Sequence, residues 1–165
     1  MVSFRRWLLF QAFLLHQGGF LFYAAVVVPI GTDQLGSALL QGLITQRVTW
    51  WLNLFGFAWL IVAAWDTRAE SDRRSRRWIV WGLRAALAVA LVVLHDRMAA
   101  FLDLERERVS DRVAFRNRHI AYLWLSTLDW ILGMIAARQA IRAWTAHGGS
   151  GTVGSTVRGE ASPSG

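Results

Sequence analysis

Two long stretches of the chain carry no formal charge, Trp7 to Thr32 and Val48 to Trp65. A water-soluble helix shows a polar face every third or fourth residue, and these runs do not. About 20 apolar residues, rising about 1.5 Å each, cross the hydrocarbon of a bilayer, so runs of this length read as spans. Two further apolar segments are each broken once: Trp78–His95 by Arg84, and His119–Ala137 by Asp129. The pattern predicts an all-α, up-down bundle of four transmembrane helices over residues 7–30, 48–65, 78–95 and 119–137, within a domain of residues 1–145. The first span is expected to end at Pro29-Ile30-Gly31, and the fourth helix can run on to Trp144. The remaining 146–165, rich in Gly, Ser and Thr, predicts a disordered tail.

Composition supports the membrane reading. The 165 residues are 55% hydrophobic, with a mean hydropathy of +0.33 and ten Trp, more apolar than a soluble domain of this size. There is no Cys, which excludes disulfides, thiolate metal sites and thiol catalysis. A net charge of +7 raises the question of nucleic acid. All 18 basic residues are Arg, however, and most lie at span ends or in loops, where they set topology and meet lipid headgroups. The predicted partner is therefore the bilayer, with a second copy or another membrane protein as a further candidate, and not nucleic acid. Arg without Lys points to a GC-rich genome and a bacterial inner membrane. Arg5-Arg6 before Trp7 resembles an export signal, but the apolar run is too long for a cleaved one and reads as an uncleaved first span.

Arg5 and Arg6, the loop with Arg68, Arg73, Arg74, Arg76 and Arg77, and the flank with Arg138 and Arg142 share one side of a four-span chain. The positive-inside rule then puts both termini in the cytoplasm. The last loop opposes this with Arg97, Arg106, Arg108, Arg112, Arg116 and Arg118, interspersed with acids. Trp7, Trp65, Trp78 and Trp144 fall at the same end of all four spans, as an aromatic belt would.

Polar groups inside a span are costly and mark function by default. His119, Tyr122, Ser126, Asp129 and Gly133 are spaced 3, 4, 3 and 4, which places them on one helical face. Arg84, Ala88, Leu91 and His95 share a face of the third span. The first span offers His16, Gly19 and Tyr23, the second Thr49, Asn53 and Gly56. Lipid repels such faces, so they should turn inward together. By rise per residue, His16, Arg84 and Asp129 form an inner layer near mid-membrane, and His95 and His119 an outer layer with Tyr23 and Tyr122 nearby.

Each layer has two readings. The inner one is a proton relay or polar-ligand site, since His titrates near neutral pH and a buried Asp can hold a proton. Equally, Asp129 can simply neutralise Arg84 and keep the bundle in register, or Arg84 can snorkel to headgroups. In the outer layer, His95 and His119 can ligate a haem or a transition metal, with Asp96 or Tyr122 orienting a ring. They can also merely cap helix ends beside a charged loop. Gln17-Gly18-Gly19 reads as a close-packing patch, and Arg47 as a headgroup contact. No GxSxG, HExxH, P-loop or dinucleotide fingerprint is present, so none of those soluble chemistries is indicated.

His16-Gln17-Gly18-Gly19-Phe20 followed by Pro29 resembles the first span of small bacterial four-span proteins of the transmembrane-protein-205-like and copper-resistance-D-like families. More distantly, the layout is similar to the four-span protoporphyrinogen oxidases, which carry a haem. Arg47-Val48-Thr49 with Leu52-Asn53, and His119 to Trp130, look like parts of a bacterial membrane family of this architecture. The resemblance spans about residues 10–140 and implies a haem- or metal-binding role for His16. The chain departs from copper-handling domains in having three Met and no Cys. Three function classes follow: a haem- or metal-binding membrane protein using His16, His95 or His119, a small proton-coupled transporter or permease subunit, and a non-catalytic assembly partner.

Overall fold

The computed structural model describes residues 2–70, 74–103, 108–109 and 111–148. Nearly all of them lie in four helices: α1 (Val2–Leu35), α2 (Ala38–Ala69), α3 (Arg74–Ala99) and α4 (Arg112–Gly148). Between α3 and α4, β1 (Leu102–Asp103) pairs antiparallel with β2 (Arg108–Val109) in a two-residue bridge. Each helix packs on the next in sequence, giving an up-down bundle. All four are long and apolar enough to cross a membrane, and the chain is a multi-pass integral membrane protein.

The helices outrun the apolar stretches that announce them. At 32 residues, α2 extends well past the roughly 30 Å of hydrocarbon, so its ends carry polar groups to the interface. Pro29 does not end the first helix, which continues to Leu35. Proline lacks an N–H and its ring collides with the carbonyl four residues back. The wide π-helical turn Tyr23–Val27 just ahead of it absorbs both defects, and the Val28 N–H reaches back to the Tyr23 carbonyl. A second wide turn covers Leu14–Gly18. Helix α1 stops at Gly36, whose φ of 58° is the left-handed conformation that glycine adopts without cost. Ser37 then caps α2, accepting from the Leu40 N–H at 3.4 Å. Asp111 caps α4 by accepting from the Val113 and Ala114 N–H groups at 3.0 and 2.9 Å. Helix α4 reaches Gly148, past the expected start of the tail, and the rest of that tail, 149–165, lies outside the described residues, as do Arg73 and Arg106.

Burial is inverted relative to a water-soluble protein. Among the described residues, eleven polar or charged side chains are buried against nine apolar ones, while Ile61, Ile79, Val113 and Trp124 stand exposed. Only a lipid surround makes that arrangement favourable. The interior is layered. A charged layer lies at the end of the bundle that carries both termini, an apolar layer of Leu9, Trp59, Leu60, Ala63 and Ala140 follows, and a second charged layer sits deeper. Of the belt tryptophans, Trp7 and Trp65 face outward, while Trp144 turns its N–H into the first charged layer.

Candidate functional site

The deep layer is centred on Arg84 of α3, which is 1% exposed. Its guanidinium grips Asp129 of α4 through two parallel hydrogen bonds, Nε to Oδ1 at 2.9 Å and Nη2 to Oδ2 at 2.8 Å. Such forked pairing is the strongest ion-pair geometry available to arginine. The same Nη2 approaches His16 Nδ1 of α1 at 3.4 Å. Arginine can only donate, so His16 Nδ1 accepts and its ring proton sits on Nε2. Trp59 of α2 completes the surround, its ring centroid 4.1 Å from Arg84 Cζ in a cation–π contact. One guanidinium thus joins all four helices.

Glycines make room for this. A Cβ at Gly56 would lie 2.9 Å from His16 Nε2, so α2 can accept the imidazole edge only with glycine there. A Cβ at Gly133 would collide with the Gln17 amide and come within 3.3 Å of Arg84 Cζ. Gln17, read from sequence as part of a packing patch, is buried against Gly133, and neither its amide nitrogen nor its oxygen has a hydrogen-bond partner. Gly19 does pack, against Leu52, whereas Gly18 lies open. Arg84 Nη1 is likewise buried and unpartnered. A cavity of about 10 Å³ opens beside His16, Asn53, Arg84 and Asp129, just enough for one water molecule.

Toward the far end the polar stripe continues. The Tyr122 hydroxyl faces Ser126 and Asn53, and the Tyr23 hydroxyl bonds Thr45 Oγ1 at 2.7 Å. His95 is buried and donates from Nε2 to the Gln46 carbonyl at 3.1 Å, while its Nδ1 faces Asp96 Oδ1 at 3.5 Å. His119 is half-buried and stacks on Phe115, with ring centroids 6.1 Å apart. Among the described residues, no group of three or more His, Asp or Glu is placed to hold a metal ion.

The layer at the termini end was not anticipated from the sequence. Asp66 of α2, wholly buried, accepts from Arg5 Nε at 2.8 Å, from Arg77 Nη2, and from the Trp144 indole at 3.3 Å. Glu70, one turn on, accepts from Arg5 Nη2 at 2.5 Å and Arg6 Nη2 at 3.1 Å. Arg6 also lies over the Trp144 ring at 5.5 Å. Here too all four helices meet at one carboxylate. The signal was present: Asn53, Gly56, Ala63, Thr67 and Glu70 extend the α2 stripe at helical spacing past the end of the apolar run.

No family model, curated protein or solved structure matches the chain.

Proposed function

We propose that the chain is a small proton-coupled membrane protein, a carrier or permease subunit of a bacterial inner membrane with both termini cytoplasmic, in which His16, Arg84 and Asp129 form the proton-holding centre. One observation carries the reading: a single buried guanidinium is shared between a carboxylate and an imidazole, beside a cavity of about 10 Å³. A proton arriving on Asp129 weakens its hold on Arg84 and frees the guanidinium to turn. A proton arriving on His16 removes the lone pair facing Arg84 and drives the two apart. Either event changes how three helices are tied. His16 and Asp129 both line the cavity, so a water held there would be the natural donor.

The haem or metal reading, which the family resemblance favours, finds less support. His95 Nε2 is committed to the Gln46 carbonyl, and the His16 imidazole is wedged between Arg84 and Gly56. The space beside His16 suits a water and not a porphyrin. An assembly role needs only the ion pair and leaves the third partner, His16, without purpose.

The test is proton entry into vesicles that hold the purified chain and a trapped pH dye, driven by a potassium–valinomycin potential. Wild-type protein should exceed empty vesicles, and Asp129→Asn should fall at least tenfold. Wild-type entry no faster than empty vesicles, or undiminished entry in Asp129→Asn, rejects the reading.

A further inference from the structure

A second cavity, about 20 Å³, lies on the termini side of Arg84, walled in part by Trp59, Thr67, Arg77, Gln139 and Ala140. It is separate from the cavity of about 10 Å³ beside His16, Asn53, Arg84 and Asp129. We propose that the Trp59 indole is the gate between the two: it closes the proton-holding centre toward the termini end and opens when Asp129 takes up a proton. The gate rests on the proton-coupled reading and gives that centre its exit.

Trp59 touches the charge with its ring, 4.1 Å from Arg84 Cζ, and the same side chain walls the larger cavity. Its neighbours on that wall include Ala63, Ala136 and Ala140, and Ala88 packs on the same apolar layer, so a displaced indole leaves a space that methyl groups cannot fill. The indole is also untethered. Trp81, the other large ring on the wall, donates its N–H to the Leu60 carbonyl at 2.8 Å, and Trp144 donates to Asp66. The Trp59 N–H is buried without an acceptor, although a buried indole usually finds one. What holds Trp59 in place is therefore packing and the guanidinium under its face. Beyond it, water has partners: Thr67, Arg77 and Gln139 line the larger cavity, and Arg77 Nη1 is buried without an acceptor. An apolar constriction between two wettable spaces blocks protons by excluding water. The link to chemistry runs through Arg84. Ionised Asp129 fixes the guanidinium through two hydrogen bonds, and the guanidinium fixes the ring. Protonation of Asp129 removes the charge that holds the fork, so Arg84 and the indole lying on it come free together. The proton then leaves the Asp129 carboxyl for a water on the termini side, which becomes hydronium. The carboxylate forks Arg84 again and the ring closes.

The test uses the full chain in the dye-loaded vesicles, at equal protein per vesicle. Trp59→Ala removes the plug and should raise proton entry over wild type by about fivefold or more. Adding Ala140→Leu to that variant refills the passage from the facing helix and should return entry to the wild-type rate or below, which a leak through damaged protein would not do. Where Trp59→Ala does not elute like wild type, Trp59→Phe, a smaller ring, takes its place with the same sign expected. A tryptophan that only packs the core predicts unchanged or slower entry in these variants, and that result overturns the gate. So does a raised entry that Ala140→Leu leaves undiminished. Wild-type entry no faster than empty vesicles rejects the carrier reading and the gate with it. Wild-type entry above empty vesicles, with Trp59→Ala no faster again, rejects the gate and leaves the carrier reading standing.

Discussion

The two charged layers solve the same problem with different degrees of completion. At the termini end, Asp66 is saturated by two arginines and an indole, and Glu70 binds two arginines beside it. In the deep layer, Arg84 keeps one nitrogen idle, Gln17 has no partner at either end, and a water-sized space stands open. Both layers keep a buried arginine nitrogen without an acceptor beside free space, Arg77 Nη1 at the termini end and Arg84 Nη1 in the deep layer, so idle capacity does not separate them. The carboxylates do: Asp66 and Glu70 are each tied to two arginines, whereas Asp129 is held through the one fork from Arg84. That division gives the termini end the more redundant tie and the interior the one that a single change can release, although both sites lie within one bundle and both touch all four helices.

Substitutions can break that division, and the largest effect belongs to Asp66. Asp66→Ala strips Arg77 of its carboxylate and leaves Arg5 with Glu70 alone, and should cost about 3–5 kcal/mol in unfolding by denaturant titration in mixed micelles. Next is the deep pair. Arg84→Met alone strands Asp129 and should cost nearly as much, whereas the double variant Arg84→Met with Asp129→Leu should return to within about 1–2 kcal/mol of wild type. That double variant should also lose vesicle proton entry while remaining folded, separating chemistry from architecture. A third, smaller effect lies at the α1–α4 contact: Gly133→Ala overpacks the Gln17 amide and should cost about 1–3 kcal/mol, with Gln17→Ala restoring most of it. The smallest is Gly18→Ala. Nothing lies within 4 Å of its added methyl, so stability should rise by about 0.5–1 kcal/mol through the helix preference of alanine alone. If Gly133→Ala proved harmless, the tight seating of Gln17 against α4 would be wrong.

Much of the fold was legible because lipid imposes a simple rule. Uncharged runs long enough to cross the hydrocarbon are helices, and each polar residue inside them has to face protein. That rule placed the stripe from His119 to Gly133 and the Arg84 face correctly on the inside, where Tyr122, Ser126, Asp129, Gly133 and Arg84 are all buried. It was blind at the margins. Asp66 and Glu70 lie just beyond Trp65, where a charge is conventionally left to solvent, and Arg5 and Arg6 look like topology signals. Their pairing depends on which helix ends meet, and that is set by bundle geometry and not by the local sequence. The packing expected of Gln17 and Gly19 is found, Gln17 against Gly133 and Gly19 against Leu52, but the lack of a hydrogen-bond partner for the Gln17 amide has no signature in the sequence. The His95 contact with a main-chain carbonyl was similarly invisible, because backbone acceptors carry no residue signature.

That wide turn at Leu14–Gly18 has a further consequence for how the first helix tolerates change. The surplus residue is taken up by widening the turn, so the halves of the helix on either side keep the relative phase of ordinary winding. Removing one position would return the turn to ordinary winding and leave both halves facing as they do, whereas winding all the present residues in the ordinary way would swing one half by about 100° around its axis. Either Arg5 would then leave Asp66 or Tyr23 would lose Thr45, so the width of the turn is what lets one helix address two separate sites at once.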